Sequence, residues 1–232
     1  AVILGSRSSS EFAEVPAGIG GGWDGFRGTP QLVHMFQYQD NENPQANEIL
    51  DRRGIFFDKN RSIDITTSVT GTFTTEGWAV YKYTNLKSDG EAGKNSTFPD
   101  TDFPMFRLGD IYLMYAESVA RGGQGGNIGT AVNYINALRQ RAYGDTFHNI
   151  TESWLYENNL QNILDERCRE LYWEGVRRTD LIRYGLYTSP NYLWTFKGGV
   201  LNGVGVDNRY NVFPIPITDM IVNGNLKQNE GY

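Results

Sequence analysis

Between Leu160 and Gly185 apolar positions recur with helical spacing. Leu160, Ile163, Leu164, Leu171 and Tyr172 fall three, four, seven and eight residues apart, which predicts a helix with one buried stripe. Around that stripe stand Asp165, Glu166, Glu170, Glu174 and Asp180 against Arg167, Arg169, Arg177, Arg178 and Arg183. Pairs such as Glu166/Arg169, Glu174/Arg178 and Asp180/Arg183 are one helical turn apart and can meet. The bases are all Arg, which suits planar, partly buried pairing, and the segment 180–184 is expected to dock on the first helix through such pairs.

Two further stripes predict amphipathic helices over 108–119 (Leu108, Ile111, Tyr115, Val119) and 131–141 (Ala131, Ile135, Leu138, Ala142), joined by the Gly-rich GGQGGNIG. Two such helices around a short turn make a hairpin, the unit of tetratricopeptide-like stacks. One hairpin cannot bury its own face, so it must stack on the Leu160 helix or on other helices.

Earlier in the chain the periodicity is weaker. Thr29 reads as an N-cap with Pro30 at the first position of a short helix through Leu32, Val33 and Phe36. Residues 55–57, 62–65 and 78–83 have strand composition, and alternation puts Trp78 and Val80 on one face with Tyr81 and Tyr83 on the other. Polar loops are expected at 40–46, 85–102, 143–157 and 187–208. Phe213-Pro-Ile-Pro216 reads as an extended anchor, and Thr218 as the cap of a last short helix. The fold class is therefore mainly α, with tetratricopeptide-like helical hairpins in an α-α superhelix, long loops and a few short strands. Residues 1–102 form a loop-rich variable region, the candidate ligand-binding part, and residues 103–232 a helical region, expected together as one compact unit.

Composition narrows the function. The chain has 232 residues, 39% hydrophobic and 13% aromatic, enough for a real core, with a net charge of -6 and no Lys/Arg run clear of acids, which argues against nucleic acid as a partner. The single cysteine, Cys168, lies on the Leu160 helix and excludes an internal disulfide or a Cys-based metal site. His34 and His148 have no acidic partners at metal spacing. No glycine-rich phosphate loop, serine elbow, Cys/His pair or 18-residue apolar run occurs. The many carboxylates invite comparison with glycoside hydrolases, but a raised-pKa acid needs an apolar pocket, whereas each acid here has an Arg within a turn. The expectation is a non-enzyme without catalytic residues, metal or cofactor.

Four blocks carry a family resemblance: ERCRELYWEGVRRTDLIRYG (166–185), FPMFRLGDIYLMYAESVA (103–120), AVNYINALRQR (131–141) and VFPIPITDMIVNGNLKQNEGY (212–232). In order and spacing they resemble the C-terminal half of the SusD/RagB family of nutrient-uptake outer-membrane lipoproteins, across about residues 20–232. Cys168, Gly224 and Glu230 depart from the family pattern at positions with no proposed binding role. The resemblance implies a lipid-anchored protein on the outer face of the outer membrane, whose signal and lipidated Cys lie in a preceding N-terminal half. Such a protein captures a glycan and delivers it to a SusC-like TonB-dependent channel; some relatives bind peptides or glycoproteins instead.

Sugar capture works through aromatic stacking on pyranose faces with polar groups on the hydroxyls. The candidates are Trp23, Asp24 and Arg27 in GIGGGWDGFRGTP, Trp78 and Tyr81 on the strand segment, and Trp194 in the late loop. The competing reading makes Trp23 a core plug between loop and helix, and Trp78 and Tyr81 part of a packed sheet.

Overall fold

The computed structural model describes every residue except Ala1, Phe12 and Val69. Its principal elements are α1 (Val2–Ser6), α2 (Pro30–Val33), β1 (Phe56–Phe57), β2 (Ala79–Val80), α3 (Leu108–Ala120), α4 (Ile128–Tyr143), α5 (Gln161–Leu171), α6 (Arg177–Arg183) and α7 (Ile217–Val222), with short 3-10 turns between them. The fold is mainly helical, and the elements fall into two compact units, Ala1–Gly175 and Val176–Tyr232.

In the first unit α3 packs on both α4 and α5. The stripe expected on α4 is buried throughout: Ala131, Ile135, Leu138 and Ala142 all lie in the core. Asn127 caps that helix by accepting from Thr130 N, and Gly144 ends it in the left-handed conformation with φ 82°. On α3 the buried face is instead Gly109, Leu113, Ala116 and Glu117, while Leu108 and Ile111 are exposed. The helix is apolar on more than one side, so periodicity alone did not select the face that packs. Where α3 meets α5, a Cβ on Gly109 would stand 2.6 Å from Arg107 Nη1 and 2.7 Å from Glu170 Oε1, so a larger residue there would displace that ion pair.

Thr29 caps α2 as expected, its hydroxyl accepting from Leu32 N. The strand content is smaller than expected. Phe56–Phe57 pairs antiparallel with Ala79–Val80, whereas 62–65 contributes only an isolated bridge between Ser62 and Glu76. These pieces close over a cluster of Val33, Phe36, Tyr38, Trp78, Val80 and Tyr172. Edge-to-face contacts between Phe36 and Tyr172 (5.5 Å) and between Tyr38 and Trp78 (6.0 Å) order it.

The buried acids of α5, Glu166 and Glu170, are structural. Glu166 receives Arg53, Arg139 and Arg169; Glu170 receives Arg53, Arg107 and Arg141. Glu174, which sequence spacing pairs with Arg178, is taken by Arg107 and Lys82. Asp180 and Arg183 pair at 2.7 Å within α6.

In the second unit the 213–216 segment is extended, and the chain end clamps it. Ile215 N donates to Gln228 Oε1 (2.8 Å), Gln228 Nε2 returns a bond to Ile215 O, Asn229 Nδ2 donates to Phe213 O and Tyr232 Oη to Val212 O. Helix α7 begins two residues earlier than expected, after Pro216 rather than after Thr218, so Thr218 lies within it.

Candidate ligand-binding surface

The Gly-rich loop at 20–28 has no regular structure, yet its backbone is fixed. Trp23 N donates to Leu4 O (2.7 Å), Asp24 N to Arg7 O (3.1 Å), Gly25 N and Phe26 N to Gly5 O, and Gly28 N to Trp78 O (2.7 Å). A side chain on such a loop is presented from a rigid base. Trp23 is 67% exposed and Phe26 52% exposed, and the Phe26 ring meets Trp173 edge-on at 5.9 Å. Trp173 is itself partly exposed, with φ 63° just beyond α5.

Asp24 has φ 56°, and its carboxylate lies 3.5 Å from Arg61 Nη2. Partial burial raises its pKa, partly offset by the Arg61 charge. Arg61 is buried and also holds Glu11, Phe73 O and Gly77 O. Arg27 turns inward, its guanidinium donating to Thr72, to Glu76 O and to Thr67 O, and lying 4.6 Å from the Phe73 ring centroid. Trp23 and Asp24 thus stand on the surface of the loop, and Arg27 braces it from behind.

Trp78 and Tyr81 sit inside the fold at 3% and 5% exposure. Tyr81 Oη donates to Glu11, burial being the main cause of its raised pKa. One face of its ring is covered by Arg7 at 3.5 Å, and Phe57 stacks on it at 5.3 Å. Neither ring offers a free face. Trp194 belongs to the second unit, half-buried beside Tyr187 and Tyr192, with Lys197 Nζ 4.6 Å from its ring. The exposed aromatics of the loop are therefore Trp23 and Phe26, with Trp173 as neighbour. Phe26 was visible in the sequence three residues after Trp23, whereas Trp173 reads there as one more residue of the charged helix.

Glu166 and Glu170 of α5 are unsuited to general-acid work. Burial drives Glu166 and Glu170 upward, but Arg169, Arg53 and Arg139 around the first, and Arg107, Arg141 and Arg53 around the second, outweigh it and hold both below the ordinary range. Among the described residues no group of three His, Cys, Asp or Glu could hold a metal ion, and no helix is long and apolar enough to cross a membrane.

Comparison with known proteins agrees with this architecture. Over 158 residues, 68% of this chain and 26% of the relative, the sequence is 44% identical to the starch-binding protein SusD of Bacteroides thetaiotaomicron. Over 138 residues, 55% of this chain and 24% of the relative, it is 32% identical to a SusD-like protein of Formosa agariphila. The matched segments span about a quarter of those curated relatives. In structure, 99% of the chain superposes on 51% of a SusD-like protein of Bacteroides fragilis with a TM-score of 0.65 at 18% identity. A SusD superfamily protein of the same species matches 87% of the chain and 40% of its own length, with a TM-score of 0.50 at 21% identity. The SusD family model matches residues 64–232, and the chain belongs to that family.

Proposed function

We propose that this chain is part of a non-catalytic cell-surface protein that binds a polysaccharide or oligosaccharide and passes it to a SusC-like TonB-dependent outer-membrane channel. A lipid anchor would hold the protein on the outer face of the outer membrane. Family membership and the starch-binding relative support the ligand class. The ion-paired carboxylates of α5 support the absence of glycoside hydrolysis.

The observation that carries the reading for this chain is the exposed Trp23 on a backbone pinned by five hydrogen bonds from Trp23, Asp24, Gly25, Phe26 and Gly28. A rigid indole stacks on the apolar face of a pyranose without losing much conformational freedom, and the Asp24 carboxylate beside it accepts from hydroxyls. Trp23 and Asp24 are the proposed contacts, with Arg27 holding the loop. Trp194 is proposed as a stacking residue of the second unit. Trp78 and Tyr81 serve by supporting the loop, through the Gly28 bond to Trp78 O and the Tyr81–Glu11–Arg61 chain next to Asp24.

Electrophoresis of the chain through native gels containing neutral or acidic polysaccharides tests this directly. Retardation by one polysaccharide, lost in a folded Trp23→Ala variant, is the expected result. Retardation by none, with binding to peptides instead, would replace the glycan with a peptide ligand.

A further inference from the structure

Away from the Trp23 loop, the first unit contains a pocket of about 320 Å3, at the lower end of the range of small-molecule sites. Four stretches of chain converge on it: residues 35–41 after α2, Arg139 and Tyr143 near the end of α4, Trp154 in the turn before α5, and Asn162, Asp165 and Arg169 on α5. Trp154 is held at its backbone and has a cation near its ring. Asn162 Nδ2 donates to its carbonyl oxygen at 3.1 Å, and the Arg139 guanidinium lies 5.9 Å from its ring. Asn158, Asn159 and Leu160 then follow in three consecutive left-handed conformations, with φ 50°, 52° and 64°. Such conformations cost about 1–3 kcal/mol each outside Gly and persist where the surroundings impose them.

The hydrogen-bonding inventory identifies what the pocket suits. Arg169 is committed to Glu166 and Met35 O, and Arg139 gives Nε to His148 O and Nη1 to Glu166. Among the described residues the Gln37 amide, Asn41 Nδ2, Arg139 Nη2 and Trp154 Nε1 make no hydrogen bond, although all four residues line the pocket. Asp165, which accepts from Gln161 at 2.9 Å, adds a carboxylate to the wall. Arg139 and Arg169 both pair with Glu166, and Asp165 places a second carboxylate at the pocket. An anion would satisfy the donors but face Asp165, and a cation would face two arginines. Hydroxyl groups both donate and accept, and so satisfy donors, the Gln37 carbonyl and the carboxylate together.

We propose that this pocket is a second binding site, for one ring of a neutral polyhydroxylated ligand, seated against Trp154 and hydrogen-bonded by Gln37, Asn41, Arg139 and Asp165. The inference rests on the lining alone and is independent of the Trp23 loop, none of whose residues borders the pocket.

The test is proton–nitrogen NMR of the indole N–H signals of the intact chain, the Trp154 signal being identified by its disappearance in Trp154→Phe. D-glucose, D-galactose, D-mannose and D-xylose serve as neutral probes, with D-glucuronate and inorganic phosphate as charged ones. A neutral sugar is expected to move the Trp154 signal saturably in wild type and in Trp23→Ala, and Gln37→Ala, which breaks no existing bond, is expected to weaken that response about tenfold. A Trp154 signal unmoved by every neutral sugar, or moved more readily by phosphate or glucuronate, overturns the proposal. So does an undiminished response in Gln37→Ala. Loss of polysaccharide binding in Trp23→Ala with the Trp154 response intact separates the two sites.

Discussion

Arg53 Nη1 lies 2.7 Å from Glu166 Oε1, joining the turn after residue 50 to the middle of α5 across 113 positions of sequence. The Glu166 side chain is wholly enclosed, and Arg53 simultaneously grips Asp51 through two parallel bonds of 2.8 and 2.7 Å. Removing one member of a buried, hydrogen-bonded charge group leaves the others unpaired and typically costs about 3–5 kcal/mol. Glu166→Ala is therefore expected to lower the free energy of unfolding in urea by about that amount. Glu14→Ala, which breaks a pair with Lys59 whose side chains are half-exposed, is expected to cost less than about 1 kcal/mol. Equal effects of the two would show that the α5 network does not anchor the fold.

The same network sets a direction for acid denaturation. Glu166, Glu170 and Glu174 all have folded-state pKa values below the ordinary 4.5: burial opposes this, and the surrounding Arg and Lys groups prevail. For a lowered carboxylate, the stabilisation is fully present above the unfolded value and is lost as pH falls through the folded one. The urea midpoint is expected to be nearly level above pH 4.5 and to drop below it, with a shallower drop in Glu166→Gln. A wild-type midpoint that rises on acidification would contradict the assignment.

The aromatic candidates separate by what their loss does to folding. Trp78 fills the first-unit core at 3% exposure, so Trp78→Ala should cost about 3–5 kcal/mol. Tyr81→Phe removes one donor from the Glu11 carboxylate, which keeps Arg61, and should cost about 1–3 kcal/mol. Trp23→Ala removes an exposed ring and should stay within about 0.5 kcal/mol. Thermal melts of the three, run beside the polysaccharide gels, identify which loss of binding is unfolding.

The helices of the hairpin and α5 were legible in the sequence because their stripes repeat over several turns, and the Thr29 cap because its chemistry is local. The face of α3 was not, since Leu108, Ile111 and Leu113 are all apolar and only packing selects among them. The partners of Glu166 and Glu170 were half legible: Arg169 lies one turn away, but Arg53, Arg107, Arg139 and Arg141 arrive from other elements. Exposure was the least legible property. Trp23 and Trp78 each follow a glycine, and the tertiary closure over Val33 and Tyr38 buries one and leaves the other in solvent. The Trp154 pocket draws on residues more than a hundred positions apart, so no local pattern could announce it.

Lys197 carries the last prediction. Its side chain is 2% exposed, and Nζ donates to three backbone carbonyls, Ser189 O at 2.6 Å, Tyr192 O at 2.7 Å and Leu186 O at 3.4 Å. A buried ammonium is tolerated only where its donors are satisfied, and here the loop folds around the charge to do so. Lys197→Met keeps a similar length but leaves those carbonyls without their donor, and hydrogen bonds to charged groups are worth about 1.5–3 kcal/mol each. Amide hydrogen exchange of residues 186–206 is expected to accelerate in this variant. The emission of Trp194, whose ring centroid lies 4.6 Å from Nζ, should shift with it. Lys197→Arg should not rescue either property, because a planar guanidinium cannot occupy a cage built for a compact ammonium. Unchanged exchange in Lys197→Met would mean that the loop is held by its own backbone bonds, such as Val204 N to Lys197 O and Val206 N to Thr188 O.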